Sequence, residues 1–249
     1  WQRYVPLLHA EGLEVRLPRQ VPPPVKRDED NGPQATIGSL IAHAPILQLP
    51  TDNPKANRLT FPKLALRNVG KTKQIEFDIE ARILAPHGSF AAQGQFGPWN
   101  SAQIAQTPLQ GSFQTKGADL STVGEIRGHL SASGAFAGPL GSVRVQGNTD
   151  VPDFAVKRHP VHIRTEYRAL VNGTNGDVTL EAVRARFLDT ILDASGVIGS
   201  GDNGKTVAID FTVDQARIQD LMMLFTSADK PALNGPIVFR ARAELPPED

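Results

Sequence analysis

The sequence has 249 residues, of which 40% are hydrophobic and 21% are charged, as in a folded protein with a core rather than a disordered chain. Its 26 Lys and Arg residues balance its 26 Asp and Glu residues, so no general positive field exists to attract DNA or RNA. The chain has no cysteine, which excludes disulfides, thiolate metal sites and cysteine nucleophiles.

The N-terminal part of the chain differs in composition from the rest. Residues 19–33 combine three consecutive prolines, a cluster of charged residues and a turn-forming Asn-Gly-Pro sequence. Prolines and charges in this arrangement do not join a β-ladder or a core. We therefore expect residues 1–33 to be an N-terminal segment and linker, and residues 34–249 to form a β-rich region.

Apolar residues recur at every second position in several segments after residue 36. The clearest case is residues 74–84, where Ile75, Phe77 and Ile79 alternate with acidic residues. The same period of two returns in residues 161–168, 207–213 and 237–243. Strands with one apolar and one polar face predict an antiparallel sheet with one side in water.

Turn and helix signals separate these strands. Asn-Gly and Asn-Gly-Asp sequences within residues 172–177, and the Gly-Asp-Asn-Gly sequence at 201–204, predict hairpin tips. Residues 215–225 carry apolar side chains at helical spacing, with Asp214 as the expected N-cap. The sequence thus predicts a mainly β, antiparallel, elongated curved sheet or groove with one short helix near its C-terminal end.

A short internal repeat occurs in three of the predicted strands. Residues 90–96, 130–136 and 192–198 each place a large, a small, a glycine and another large residue at alternate positions, and so on one face. The first two copies are followed by a Gly-Pro pair. Because the copies have no fixed spacing, they indicate irregular β units side by side, or the glycine-bounded strands of any β protein.

The motifs for catalysis are weak. Residues 199–206 satisfy the P-loop pattern, but a strand pattern follows them instead of the helix that a phosphate-binding loop requires. His159 and His162 are three residues apart in a strand, which puts them on opposite faces. Ser133 precedes Gly134 within a strand pattern rather than at a nucleophile elbow. We therefore expect a non-enzymatic protein without a cofactor or metal.

Between Gly94 and Leu245 the chain contains, in order, the phrases Gly94-Gln-Phe-Gly-Pro-Trp99, Thr107-Pro108, Gly111-Ser-Phe113, Ala118-Asp-Leu120, Gly134-Ala-Phe136, Gly138-Pro-Leu140, Val151-Pro-Asp-Phe154, Thr165-Glu-Tyr167, Asn172-Gly-Thr-Asn-Gly-Asp177 and Arg217-Ile-Gln-Asp-Leu221. Taken together, these phrases resemble the β-rich C-terminal region of the AsmA-like envelope proteins, which include TamB-type proteins. The resemblance implies a periplasmic β-groove within a longer protein tethered to the inner membrane. It also implies phospholipid transport between inner and outer membranes and a part in outer-membrane assembly.

The sequence is compatible with two functions. A lipid-binding groove would take lipid acyl chains as its partner, whereas a non-catalytic scaffold of the bacterial envelope would bind other envelope proteins through its strand edges. Any membrane anchor is expected outside this fragment. The candidates for lining a groove are the apolar residues of the alternating strands: Ile75, Phe77, Ile79, Val161, Ile163, Tyr167, Val207, Ile209, Phe211, Ile237 and Phe239. Alternation reports burial but does not decide between a sandwich core and a groove.

Overall fold

A computed structural model shows one β-sheet of fifteen strands and one α-helix. It describes residues 3–16, 35–48, 58–70, 72–84, 87–100, 102–122, 126–201, 204–226 and 230–245. The elements are β1 (Arg3–Glu11), β2 (Glu14–Arg16), β3 (Ala35–His43), β4 (Ile46–Gln48), β5 (Arg58–Val69), β6 (Ile75–Leu84), β7 (His87–Phe96), β8 (Pro108–Asp119), β9 (His129–Pro139), β10 (Val143–Phe154), β11 (Val161–Val171), β12 (Val178–Phe187), β13 (Thr190–Gly201), β14 (Gly204–Arg217), α1 (Ile218–Phe225) and β15 (Pro236–Leu245).

The strands follow one another across the sheet nearly in chain order. The hydrogen-bonded path is β1-β3-β5 and then every strand from β6 to β15 in sequence, with β4 beside β5 and β2 beside β4. All pairs are antiparallel except β1 with β3 and β2 with β4, which are parallel. The two ends of the path do not pair with each other, so the sheet is open. The predicted mainly β, antiparallel fold is confirmed.

The N-terminal segment takes part in this sheet. Its residues Arg3–Glu11 form β1 and pair with β3 from Ala35 to His43. The predicted linker, residues 19–33, lies entirely outside the described residues.

The turn signals at residues 172–177 and 201–204 lie between consecutive antiparallel strands, as predicted. Between β11 and β12, the Asn172 amide donates to the Asp177 carbonyl over 2.8 Å, and Gly176 adopts a positive φ of 83°. Gly201 pairs with Gly204 where β13 meets β14. The P-loop-like sequence is therefore divided between two paired strands and has no helix behind it, which agrees with its rejection.

The helix exists, but the prediction of where it begins is wrong. It starts at Ile218 and not at residue 215, and its N-cap residue is Arg217, which makes no side-chain capping bond. The reason is that β14 continues to Arg217, and its Ala216 pairs with Ile237 of β15. Sheet hydrogen bonds thus hold the backbone that the helical spacing assigned to the first turn, and Asp214 is an exposed strand residue.

Among the described residues, a cluster of buried hydrophobic side chains lies where α1 packs on the sheet. Leu224 of α1 is buried with Val161 and Phe187, and Leu221 packs against the same cluster. Among the described strands and helices, the other substantial contacts are between hydrogen-bonded neighbouring strands. The described part of the chain therefore supplies no second layer over most of the sheet.

Candidate functional site

Strand register defines rows of residues that cross the whole sheet on one face, because partners on neighbouring strands point the same way. The first apolar row is Leu8, Leu40, Leu66, Phe77, Gly94, Gly111, Phe136, Val145, Ala169, Leu180, Gly196, Ile209 and Ala243. The second apolar row is Ala10, Ala42, Leu64, Ile79, Ala92, Phe113, Gly134, Gly147, Tyr167, Val183, Ala194, Phe211 and Ala241.

These two rows make one face of the sheet apolar from β1 to β15. Every residue in them is aliphatic, aromatic or glycine, and the hydroxyl of Tyr167 is the one polar side-chain group that they contain. Thirteen strands at the usual spacing give a path of about 58 Å along the sheet. Most of the row residues are half-buried rather than buried. We call this surface the apolar face.

The eleven residues predicted to line a groove all lie on the apolar face. Five are in the two rows: Phe77 and Ile209 in the first, and Ile79, Tyr167 and Phe211 in the second. The other six lie on either side of the rows: Ile75, Val161, Ile163, Val207, Ile237 and Phe239. Ten of the eleven are half-buried, whereas Val161 is only 4% exposed because α1 covers it.

Aromatic rings cover glycine residues in the first apolar row. Gly94 and Gly111 lie between Phe77 and Phe136, whose backbones are three strand spacings, or about 14 Å, apart. Their ring centroids are nevertheless 6.4 Å apart, with an interplanar angle of 8°. A Cβ atom at Gly94 would lie 2.9 Å from Phe77 Cζ, and one at Gly111 would lie 2.7 Å from Phe136 Cζ. The rings therefore occupy the space that side chains would otherwise take.

The same two glycines bring neighbouring backbones unusually close together. A Cβ atom at Gly94 would overlap the carbonyl oxygen of Gln110, and one at Gly111 would overlap that of Gln93. The backbone of the next strand thus enters the space on the apolar side. Only glycine permits such a close approach of the two backbones on this face.

The second apolar row has the same arrangement two strands further along the sheet, on β8 to β11. Phe113 and Tyr167 flank Gly134 and Gly147, and Phe113 Cε1 lies 2.8 Å from the position of a Cβ at Gly134. Phe113 also stacks on Phe136, with ring centroids 6.5 Å apart, and on Phe90 at 6.3 Å. Strands β6–β9, with their four stacked phenylalanines Phe77, Phe90, Phe113 and Phe136, form what we call the aromatic section.

Strands β10–β14 form a contrasting aliphatic section. In the first apolar row they contribute Val145, Ala169, Leu180, Gly196 and Ile209, with no aromatic ring, and in the second row they contribute two rings on separate strands, Tyr167 and Phe211. Helix α1 lies along one margin of this section, where it covers the ends of the strands. The aliphatic section is therefore open over its rows and closed at one side.

A buried carboxylate fixes α1 to the sheet. Asp220 is 6% exposed, and its Oδ2 accepts hydrogen bonds from the Asp189 amide at 3.1 Å and from Thr190 Oγ1 at 2.8 Å. Thr190 Oγ1 in turn accepts a hydrogen bond from the Arg217 amide at 3.2 Å. These bonds join the helix to the turn between β12 and β13.

The opposite face of the sheet carries the charged side chains. Arg184 donates two hydrogen bonds to Asp193 across β12 and β13, at 2.7 and 3.1 Å, and these hold the pKa of Asp193 below its usual value. Lys63 pairs with Asp78 at 3.1 Å in the same manner. These side chains are roughly half-exposed, and such pairs stabilise a protein little, so their main effect is to keep this face in water.

At one margin of this sheet, His129 of β9 contacts Asp153 of β10. The His129 amide donates to Asp153 Oδ1, and Nδ1 lies 2.7 Å from Oδ2. The hydrogen bond to the carboxylate raises the pKa of His129, and the same bond lowers the pKa of Asp153. His162, by contrast, is exposed and contacts Asp150 at 2.6 Å. Neither histidine belongs to a group of ligands that converge on one point.

Sequence patterns missed the part of the apolar face contributed by β1, β3 and β5. Leu8 and Leu40 follow or precede other apolar residues, so no period of two is visible around them. Phe136 was assigned to one face of its strand by the internal repeat and Phe113 was not assigned to a face, but neither was predicted to line a groove. The signal that would have found them is the cross-strand alignment of Gly94 with Gly111, which requires knowing the strand register.

Metal-ligand clusters and membrane-spanning helices are two other features that would indicate a function. Within the described residues, no group of three or more His, Asp or Glu side chains is placed to hold a metal ion. No helix in the described part of the chain has the length and apolar character needed to cross a membrane.

In comparisons with known proteins, no family model, no curated protein and no solved structure matches this chain.

Proposed function

We propose that the apolar face binds the acyl chains of phospholipids and that this chain is a periplasmic β-groove segment of an AsmA-like protein. In the longer parent, tethered to the inner membrane, it carries phospholipid between the inner and outer membranes and supports outer-membrane assembly. The observation that carries the proposal is the pair of apolar rows, which cross thirteen strands and are half-exposed along most of their length. The resemblance of the phrases between Gly94 and Leu245 supports the family.

The apolar face is too large to be left in contact with water, and acyl chains could cover it. Monomeric proteins in water rarely expose a continuous apolar patch larger than a few hundred Å². The rows extend for about 58 Å, roughly twice the thickness of the hydrocarbon core of a bilayer. Acyl chains lying along the rows would remove this surface from water without requiring a second layer of protein.

The energetics fit a passive path rather than a tight binding site. Each buried methylene stabilises by about 0.8 kcal/mol, so a dozen half-buried methylenes contribute about 5 kcal/mol. Most of the row residues are aliphatic or aromatic without a polar group, so a chain meets similar surfaces from one strand to the next. A lipid is thereby held against water but not fixed at one position, as movement along the sheet requires.

Charge substitution on the two faces of the sheet tests the proposal. Phe211 is half-buried in the second apolar row, and Val197 is 49% exposed on the opposite face of the adjacent strand. We expect Phe211→Glu to reduce uptake of a fluorescent phospholipid from vesicles at least tenfold, because a carboxylate excludes acyl chains from its surroundings. Val197→Glu, the matched control, should take up lipid as the wild type does.

Two further measurements accompany the uptake assay. Native mass spectrometry shows whether the wild-type chain carries phospholipid, and thermal unfolding shows whether each variant is folded. A folded Phe211→Glu variant that no longer takes up lipid supports the proposal. A wild-type chain that carries no lipid and acquires none from vesicles contradicts it. If Phe211→Glu instead unfolds and the wild type binds no lipid, the apolar face is a protein-covered core, as in a structural scaffold.

A further inference from the structure

Three hydroxyl groups interrupt the apolar face beside α1. Tyr167 of β11 extends toward β10, where its Oη lies 3.0 Å from the position of a Cβ at Gly147. On the same face, two residues along each strand, Thr149 and Thr165 are directly opposite one another. Partners of this kind have Cβ atoms about 5 Å apart, and diagonal neighbours are about 7 Å apart. We call Thr149, Thr165 and Tyr167 the hydroxyl cluster.

None of the three hydroxyls makes a hydrogen bond to another group of the described protein. All three side chains are half-buried, and burial raises the pKa of Tyr167, which therefore stays protonated and able to donate near neutral pH. Water satisfies these groups while the face is empty. Once an acyl chain displaces that water, each hydroxyl loses its partner unless the ligand supplies one, and an unpaired buried donor is costly.

The position of the cluster adds to this requirement. Thr165 lies between Ile163, which packs on the core beneath α1, and Tyr167 of the second apolar row. The cluster is thus at the boundary between the covered margin and the open rows. A ligand whose hydrocarbon chains follow the rows would place a polar end or junction at this boundary.

We propose that the hydroxyl cluster binds the ester carbonyl oxygens of a diacyl glycerolipid, which places the glycerol junction at β10 and β11 while the chains follow the apolar rows. This assignment rests on the proposed lipid function and defines where along the sheet a lipid pauses. An ester carbonyl is a neutral acceptor, which matches three neutral donors. A phosphate fits less well, because the arginines of these strands, Arg144, Arg164 and Arg168, are exposed on the opposite face.

The test compares two phospholipids that differ only in their linkages. Vesicles contain either dioleoyl phosphatidylethanolamine or its diether analogue, which has the same headgroup and chain length but no carbonyl. We expect the wild-type chain to take up the diester about threefold to tenfold better than the diether, as the loss of one hydrogen bond implies. Tyr167→Phe and the double variant Thr149→Val, Thr165→Val should each lower the ratio of diester uptake to diether uptake.

Tyr4→Phe is the matched control, because Tyr4 is the other tyrosine of the chain and lies on β1 at the far end of the sheet. It should keep the wild-type preference. Equal uptake of the two lipids by the wild type would overturn the assignment and leave the lipid function standing. Uptake of neither lipid would remove both. Thermal unfolding of each variant confirms that the folded fraction is the same.

Discussion

The aromatic section and the aliphatic section solve the same physical problem in different ways. Both belong to one continuous apolar face, whose two rows are not covered by a second layer of the described chain. In the aromatic section, Phe77 and Phe136 lie over Gly94 and Gly111, so the sheet covers its own backbone with rings. In the aliphatic section, Leu224 of α1 covers a margin and leaves the rows open. Intrinsic ring packing thus stabilises one section, and a docked helix stabilises the other.

The glycine pair of the aromatic section should be its most sensitive point. Gly94→Ala places a Cβ against the carbonyl oxygen of Gln110, which belongs to backbone and cannot rotate away. We expect a loss of about 3 kcal/mol in the free energy of unfolding, measured by urea denaturation. Gly199→Ala is the control, since the nearest atom to its Cβ would be 3.8 Å away, and it should change stability by less than about 0.5 kcal/mol. Equal effects would show that a Cβ atom at Gly94 is not obstructed by the neighbouring backbone.

Removing one ring from each section tests the difference in packing directly. Phe136 contacts the rings of both Phe77 and Phe113, whereas Phe211 stacks on no other ring among the described residues. Phe136→Ala should therefore cost about 2 to 3 kcal/mol of unfolding free energy and Phe211→Ala about 1 kcal/mol. Urea denaturation of both variants measures the contrast. If the two losses are the same, ring stacking does not distinguish the sections.

The stability of the contact between α1 and the sheet should depend on the buried carboxylate of Asp220. Asp220→Ala leaves the Asp189 amide and the Thr190 hydroxyl without their acceptor, which should cost about 2 kcal/mol. Asp220→Asn keeps one acceptor oxygen and should cost less. Asp214→Ala is the control, because Asp214 is exposed and caps no helix, and thermal unfolding should show almost no change. A larger effect at Asp214 than at Asp220 would restore the helix start predicted from the sequence.

The smallest effect concerns pH, at His129 and Asp153. The raised pKa of His129 means that its contribution is complete below about pH 6.5 and is lost as pH rises through the folded-state value. The lowered pKa of Asp153 means that its contribution is present above about pH 3.8 and is lost on further acidification. The pair should therefore stabilise β9 against β10 most between these limits.

An NMR titration measures this directly. In Asp153→Asn the pKa of His129 should fall toward the ordinary histidine value, because the carboxylate that raises it is gone. Glu181→Gln, an exposed substitution on β12, should leave the titration of His129 unchanged. An unaltered His129 titration in Asp153→Asn would contradict the assigned cause.

Local sequence patterns predicted the strands better than the surface that they build. The alternation around Phe77 identifies β6 and its apolar side, because a period of two is a property of one strand. The pairing of Gly94 with Gly111, and the positions of Phe77 over the first and Phe136 over the second, depend on the register between strands. The start of α1 was missed for a similar reason, since pairing of Ala216 with Ile237 overrides the helical spacing. Patterns within one strand cannot contain these contacts.

Each strand of the hydrogen-bonded path supplies one residue to each apolar row, so the length of the surface is counted in strands. Adding one hairpin of the same alternation would lengthen the path by about 10 Å and leave its cross-section as it was. Removing one would shorten it by the same amount. The repeated large-small-glycine-large pattern in β7, β9 and β13 is what such a modular construction leaves in a sequence. The length of the apolar face can therefore change with the number of strands, without a change in what the face binds.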